Sequence, residues 1–268
     1  MHIVIKLGSV SFMNAKPLTF ALEQGLIRHD FDITRTPPSQ LSLLLSRKEI
    51  DLGLIPVAEF LKRKTYTAVP DISISSNGKV DSVVLLAKGG LEDIKRVAVD
   101  RRSQSSTALL KVILQIFHNL SPDYISRDTG DDFLKDVDAG MIIGDTGLEI
   151  THSPPEGWSV FDLGEIWTAE TGLPFVYAVF AVNEGVALGE NLDALHQSKA
   201  YGLGIAEKIA KLESVRTGLD ESICYKYLTE RIRYGLGENE TRGIIKYSEY
   251  LSRLGESEKI SRVAIYSQ

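Results

Sequence analysis

The chain has 268 residues, 43% of them hydrophobic and 25% charged, a globular profile with length for one large domain or two ordinary ones. Thirty Lys and Arg against 36 Asp and Glu leave a net charge of −6, and with no Lys/Arg block this argues against a nucleic-acid surface. The single cysteine, Cys224, excludes an internal disulfide and a Cys-cluster metal site and reads as a small core residue.

No stretch approaches the ~18 apolar residues of a membrane span. The opening "MHIVIKLGSV" is too short an apolar run for a signal peptide, and Ser9, Ser11 and Asn14 bring polar residues in directly after it. A cytoplasmic protein is expected.

In chain order, "HIVIKL" reads as a strand. Asn14 then caps an expected helix over residues 15–24, with Pro17 in its first turn and Gly25 as its stop. "FDITRT" is a second strand. "PPSQLSLLLSRKE" is a helix that Ser39 is placed to cap. "IDLGLIP" is a third strand, and Pro56 opens the short helix "VAEFLKR". This alternation predicts a mostly parallel sheet covered by helices, an α/β fold.

"DSVVLLAKG" is a long β-rich run. "KRVAVD" comes next, then the loop "RRSQSS" and the apolar helix "TALLKVILQIF". "AGMIIGD" is another buried strand, with the helical "TGLEI" after it. "PFVYAVFAVN" is a second long β-rich run, and three helices are expected beyond it, over 191–213, 220–232 and 239–254. No repeat or low-complexity segment occurs.

The two long runs suggest crossing strands that hinge two lobes. The outer lobe combines residues 1–87 with 176–268, and residues 88–175 form a smaller inner α/β lobe. Such two-lobed folds hold ligands in the cleft between lobes, where strand ends meet helix starts.

Four polar junctions lie at strand ends, at residues 9–14, 56–59, 100–107 and 144–145. Helix N-termini there offer free N–H groups and a partial positive field, suited to carboxylates or phosphates. Ser9, Ser11, Asn14, Gly144 and Asp145 are candidates, as are Ser103, Ser105, Ser106 and Thr107 of "SQSST". Ordinary N-capping is the competing reading of that hydroxyl-rich stretch, and it needs only one of the four. Arg101 and Arg102 are either anion donors at the cleft or exposed loop charges.

Several chemistries leave no trace. There is no G-x-G-x-x-G after the first strand, no phosphate loop, no H-E-x-x-H and no G-x-S-x-G. The five histidines are scattered without ligand spacing. "SRDTGDDFLKDVDAG" lacks Ca²⁺-loop spacing and reads as a solvated face.

Taken in order, "GSVSFMNAKPL", "DLGLIPVAEF", "DSVVLL", "VDRRSQSSTALLKVIL", "MIIGDTGL" and "DLGEIWTAETGLPFVYAVFAV" resemble the chorismate dehydratase family of the futalosine route to menaquinone. The resemblance runs from about residue 4 to 182, and the helical remainder is compatible with it. It implies a fold like type II periplasmic binding proteins, in agreement with the hinge reading. It implies loss of the ring hydroxyl and a neighbouring ring proton of chorismate as water, giving 3-[(1-carboxyvinyl)oxy]benzoate. It implies no metal or organic cofactor.

By the same resemblance Asn14 and Ser82 are catalytic residues facing the cleft, and Ser103, Ser105 and Ser106 match a hydroxyl-rich loop that usually resembles "S-R-T-S". Here Gln104 stands in place of the Arg and Ser105 in place of the Thr, so another donor must hold that carboxylate, with Arg101 a candidate. The proton acceptor is either Glu59, Asp145 or the substrate's own enolpyruvyl carboxylate. The expected partner is a small dianionic substrate, with no nucleic acid and no membrane; a homodimer through outer-lobe helices is compatible. A sister family acts on a later cyclic intermediate and resembles "S-P-D-P-D-D" where this chain has "SVSFMNAKP". A non-catalytic solute-binding protein or a regulator's effector domain are the readings outside enzymology.

Overall fold

The computed structural model describes residues 4–100, 103–128, 130 and 132–267. The first apolar run forms β1 (Ile5–Ser9), followed by α1 (Lys16–Glu23), β2 (Phe31–Arg35), α2 (Pro38–Ser46), β3 (Leu52–Pro56), α3 (Val57–Leu61) and β4 (Thr67–Ser76). Next come β5 (Val83–Ala87), β6 (Arg96–Asp100), α4 (Gln104–Lys111), β7 (Asp123–Arg127), β8 (Ala139–Ile143), α5 (Gly144–His152) and β9 (Ser159–Asp162). The last elements are α6 (Leu163–Thr171), β10 (Phe175–Val182), α7 (Glu190–Gly204), α8 (Ala206–Thr217), α9 (Glu221–Lys226) and α10 (Glu238–Arg253).

The strands form two five-stranded sheets of the same plan, β2-β1-β3-β10-β4 and β7-β6-β8-β5-β9. In each, three strands of βα units run parallel, and a strand arriving from the other half of the chain enters antiparallel beside the third. The sheets are therefore mixed, not mostly parallel. Helices cover them in a two-lobed α/β architecture. Each long apolar run belongs to a single sheet, because its ladder groups are satisfied there. The crossings lie just before the runs, at residues 77–82 and 163–174. Val83–Ala87, expected in the outer lobe, accordingly pairs within the second sheet with β8 and β9.

Some local expectations change. Neither Asn14 nor Ser39 caps a helix. Asn14 sits inside a tight 3₁₀ turn, Met13–Ala15, and Ser39 is the second residue of α2, behind Pro37 at the cap position. β4, β7 and β9 were not expected. The predicted helix over 191–213 breaks at Ile205 into α7 and α8, so four helices come after β10.

One hydrophobic core runs beneath both sheets, and a small second cluster of Val84, Leu86, Ala98, Phe133, Val137 and Ile142 lies within the second lobe. Cys224 is fully buried in the main core, as expected. No helix among the described residues is long and apolar enough to cross a membrane.

The two crossings are tied together by one buried carboxylate. Asp162 Oδ2 accepts from the N–H groups of Val80 (3.0 Å) and Asp81 (2.7 Å), and Oδ1 accepts from those of Gly164 (2.9 Å) and Glu165 (3.0 Å). Burial raises its pKa above the usual carboxylate value, against the pull of these donors. Asp162→Asn turns one acceptor oxygen into an NH₂ facing two N–H groups. We expect it to cost about 2 kcal/mol, read as a lower urea midpoint with an unchanged slope.

Candidate active site

The carboxyl ends of β1, β3, β6 and β8 face one another across a cleft of about 990 Å³ between the lobes. The size is that of a small-molecule site. Residues from the 77–82 crossing form its floor, and Tyr247 of α10 closes one side.

Eight of the sequence-predicted residues line this cleft: Ser11, Asn14, Glu59, Ser82, Ser103, Ser105, Ser106 and Gly144. They come from five separate stretches of chain and both lobes. Asn14 reaches the cleft because the 3₁₀ turn after β1 rotates it out of the helix axis instead of using it as a cap. Ser103 occupies the cap position of α4 without a side-chain cap bond, which leaves its hydroxyl unclaimed by the helix. Gly144 starts α5 with φ 69°, a conformation that favours glycine. A Cβ there would lie 2.9 Å from the Phe12 ring, so glycine is what lets the two lobes approach at this point.

Three predicted residues do not line it. Ser9 is fully buried within β1, its hydroxyl directed to the carbonyl of Val10 at 3.4 Å. Thr107 is one turn into α4, and its Oγ1 donates back to the carbonyl of Ser103 at 2.9 Å. Asp145 is committed to a contact between lobes. Its Oδ1 accepts from the Met13 N–H (3.2 Å) and its Oδ2 pairs with Arg216 of α8 (2.5 Å). Two more bonds hold the lobes together. Lys111 pairs with Glu256 at 2.5 Å, and the Tyr247 hydroxyl donates to the carbonyl of Ser105 at 3.3 Å. These contacts join the two lobes at the cleft.

Charge at the cleft is concentrated on β2 and α3. Arg35 pairs with Glu23 (3.0 Å), and Glu59 pairs with Lys62 (2.7 Å). Arg63 and Tyr66 also line the wall. The buried Tyr66 hydroxyl has no hydrogen-bond partner among the described residues. Burial raises its pKa; the Arg63 charge opposes that and Glu59 adds to it. Arg101 and Arg102, expected near the serine loop, lie outside the described residues.

Sequence reasoning missed the aromatic hydroxyls behind the cleft. Tyr177 of β10 bonds Ser76 at 2.9 Å; because Ser76 gives its proton to the carbonyl of Gly78 (3.1 Å), Tyr177 is the donor. Tyr227 donates to Ser82 Oγ at 2.8 Å. Burial pushes both phenols well up. Tyrosines on an apolar helix face or strand look like core residues in sequence, and nothing in their spacing marks them.

With this geometry in view, the chain matches the family model for menaquinone biosynthesis over residues 5–253. A chorismate dehydratase from Thermus thermophilus is 31% identical over 261 residues, covering 91% of this chain and 94% of that protein. Among solved structures, a protein from Archaeoglobus fulgidus superposes with a TM-score of 0.77 at 18% identity, covering 94% of this chain and 97% of that one. The periplasmic aliphatic sulphonate binding protein of Escherichia coli superposes with a TM-score of 0.69 at 17% identity, covering 98% and 92%. Both show a shared two-lobed binding-protein fold.

Proposed function

This chain belongs to the menaquinone biosynthesis family that includes the chorismate dehydratases, and we propose that its cleft removes water from chorismate to give 3-[(1-carboxyvinyl)oxy]benzoate. The observation that carries the reading is the meeting of Asn14, Ser82 and the α4 serines in one interlobe cleft. In this reading the protein is a hydro-lyase acting in the cytoplasm on a small dianion.

The reaction breaks one ring C–O bond and one ring C–H bond, and the electron pair of the C–H bond completes an aromatic ring. Nothing is oxidised overall. The catalytic task is to fix the ring, accept a proton and stabilise the charge that develops. Fixing the ring in the cleft can supply a large share of the barrier, on the order of 7–11 kcal/mol in well-oriented cases. Ser103, Ser105 and Ser106 at the start of α4 hold one carboxylate, with Ser11 on the opposite wall. Asn14 and Ser82 orient the enolpyruvyl carboxylate, which takes the ring proton and passes it to the departing ring hydroxyl so that the two leave as water, and they stabilise the developing charge.

Glu59 is the competing base. Its carboxylate is already engaged in an ion pair with Lys62 at 2.7 Å. We therefore expect Glu59→Gln to retain turnover within about threefold, the effect of an exposed pair worth under ~1 kcal/mol. Complete loss of turnover in a folded Glu59→Gln protein would make Glu59 the base.

The test of the function is incubation of the purified protein with chorismate while ultraviolet absorbance is monitored. An aromatic product that appears only with protein supports the dehydratase. Binding of chorismate without conversion would assign the cleft to a solute-binding protein of the same fold. Neither binding nor conversion would direct attention to the sister family's cyclic intermediate.

A further inference from the structure

We propose that Tyr227 is a positioning residue of the cleft, which turns the Ser82 hydroxyl proton toward the substrate. This rests on the dehydratase reading and adds to it a third residue that does not touch the reacting atoms.

The α9 helix does not continue regularly. After Lys226 it widens into a π-type turn, Tyr227–Arg231. Such turns recur at functional sites, where they re-aim side chains. Here the turn sets two side chains against two neighbouring residues of the 77–82 crossing. Tyr227 reaches Ser82 at 2.8 Å, and Arg231 Nε reaches Asp81 Oδ2 at 2.5 Å. Asp81 has φ 60°, an uncommon conformation for a residue other than glycine, and its carbonyl accepts from Thr151 Oγ1 at 2.7 Å. The carbonyl of Ser82 accepts from the Gly144 N–H at 2.8 Å. Residues 81–82 are therefore gripped by side chains and backbone from both lobes.

The proton count gives the grip a direction. Tyr227 is 2% exposed, and burial keeps its phenol protonated through any working pH. A phenol has one proton, and Tyr227 donates it to Ser82 Oγ. Ser82 then cannot use its own proton on Tyr227. Among the described residues Ser82 Oγ donates to no other acceptor, and Ser82 lines the cleft, so its proton is available to a ligand there. A single buried phenol thus fixes the hydrogen-bonding sense of a proposed catalytic group.

The experiment measures chorismate dehydration by wild type, Y227F, S82A and the S82A/Y227F double variant, with thermal melts for each. Y227F keeps the ring and removes only the hydroxyl. We expect its kcat to fall about tenfold or more, the effect of losing one hydrogen bond to a group carrying charge in the transition state, with KM changed less than about threefold and a melting point near that of wild type. The double variant should be no slower than S82A alone, because Tyr227 acts through Ser82 and the two effects do not add. Wild-type kcat in Y227F, or penalties that multiply in the double variant, overturns the proposal. If Y227F melts below the assay temperature, 3-fluorotyrosine at position 227 preserves packing and strengthens the donor; an unchanged kcat there also overturns it. Wild-type protein that leaves chorismate untouched removes the dehydratase reading itself, and this inference with it; an active wild type beside an unaffected Y227F sinks this inference alone.

Discussion

Asn14→Ala and Ser82→Ala are each expected to lower kcat for chorismate dehydration about a hundredfold or more, the scale seen when one preorganised donor is removed from a site of developing charge. Neither change should unfold the protein. Asn14 sits in a 3₁₀ turn that makes no use of its side chain as a cap, and the Ser82 carbonyl, not its hydroxyl, holds the start of α5 through the Gly144 N–H. Chorismate affinity should change less than turnover, because the α4 serines on the opposite wall still bind. Stopped-flow absorbance and equilibrium binding on each variant separate the two effects. Turnover within about threefold of wild type, well short of the loss expected of such a donor, in both variants would remove these residues from the mechanism.

Trp167→Ala is expected to cost about 3–5 kcal/mol of folding stability, the range for emptying a buried aromatic site. Trp167 of α6 is fully buried. Its ring meets Phe175 edge-on at 5.1 Å, Tyr247 at 5.8 Å and Tyr250 at 5.9 Å, and lies 6.1 Å from Phe117. Its Nε1–H donates to the carbonyl of Pro174 at 3.3 Å. These partners belong to the turn after α4, to β10 and to α10, so the indole is where the second crossing, the outer sheet and the last helix meet. One neighbour, Tyr247, lines the cleft and bonds the carbonyl of Ser105. The cavity would therefore loosen the serine loop as well as the core. Denaturant melts give the stability, and Trp167→Phe, which fills most of the volume, should recover more than half of it. A loss under about 1 kcal/mol would mean that the site collapses freely.

The strands whose apolar pattern is uninterrupted were legible in the sequence: β1, β3, β5, β6, β8 and β10 are runs of aliphatic residues that end on polar junctions. The strands that were missed carry a physical disguise. β4 contains Pro70 and, at Asp71, φ 54°, and lies at the edge of its sheet, where a proline and an irregular residue are tolerated. β7 is also an edge strand, with mixed exposure, and β9 has four residues. The break at Ile205 comes just after Gly204, a weak helix former, and periodicity alone ran through it.

The site was legible where it depends on strand-end chemistry. Asn14, Ser82 and the α4 serines are polar residues in places where an apolar core would otherwise begin, and that contrast is visible in one dimension. Their surroundings are not. Thr107 looked like its serine neighbours, but in a helix the fourth residue on bonds the carbonyl behind it. Asp145 stands beside Gly144 in sequence, and only the packing of α8 brings Arg216 to it. Tyr227 lies 145 residues from Ser82, on a helix face whose period gave no sign of a π-type turn.

The most direct measurement is a crystal structure with 3-[(1-carboxyvinyl)oxy]benzoate bound. The product is expected between the lobes, with one carboxylate within hydrogen-bonding reach of Asn14 and Ser82 and the other at the start of α4. Density for the product outside this cleft, or within it but with both carboxylates turned away from Asn14 and Ser82, would contradict the proposed mechanism.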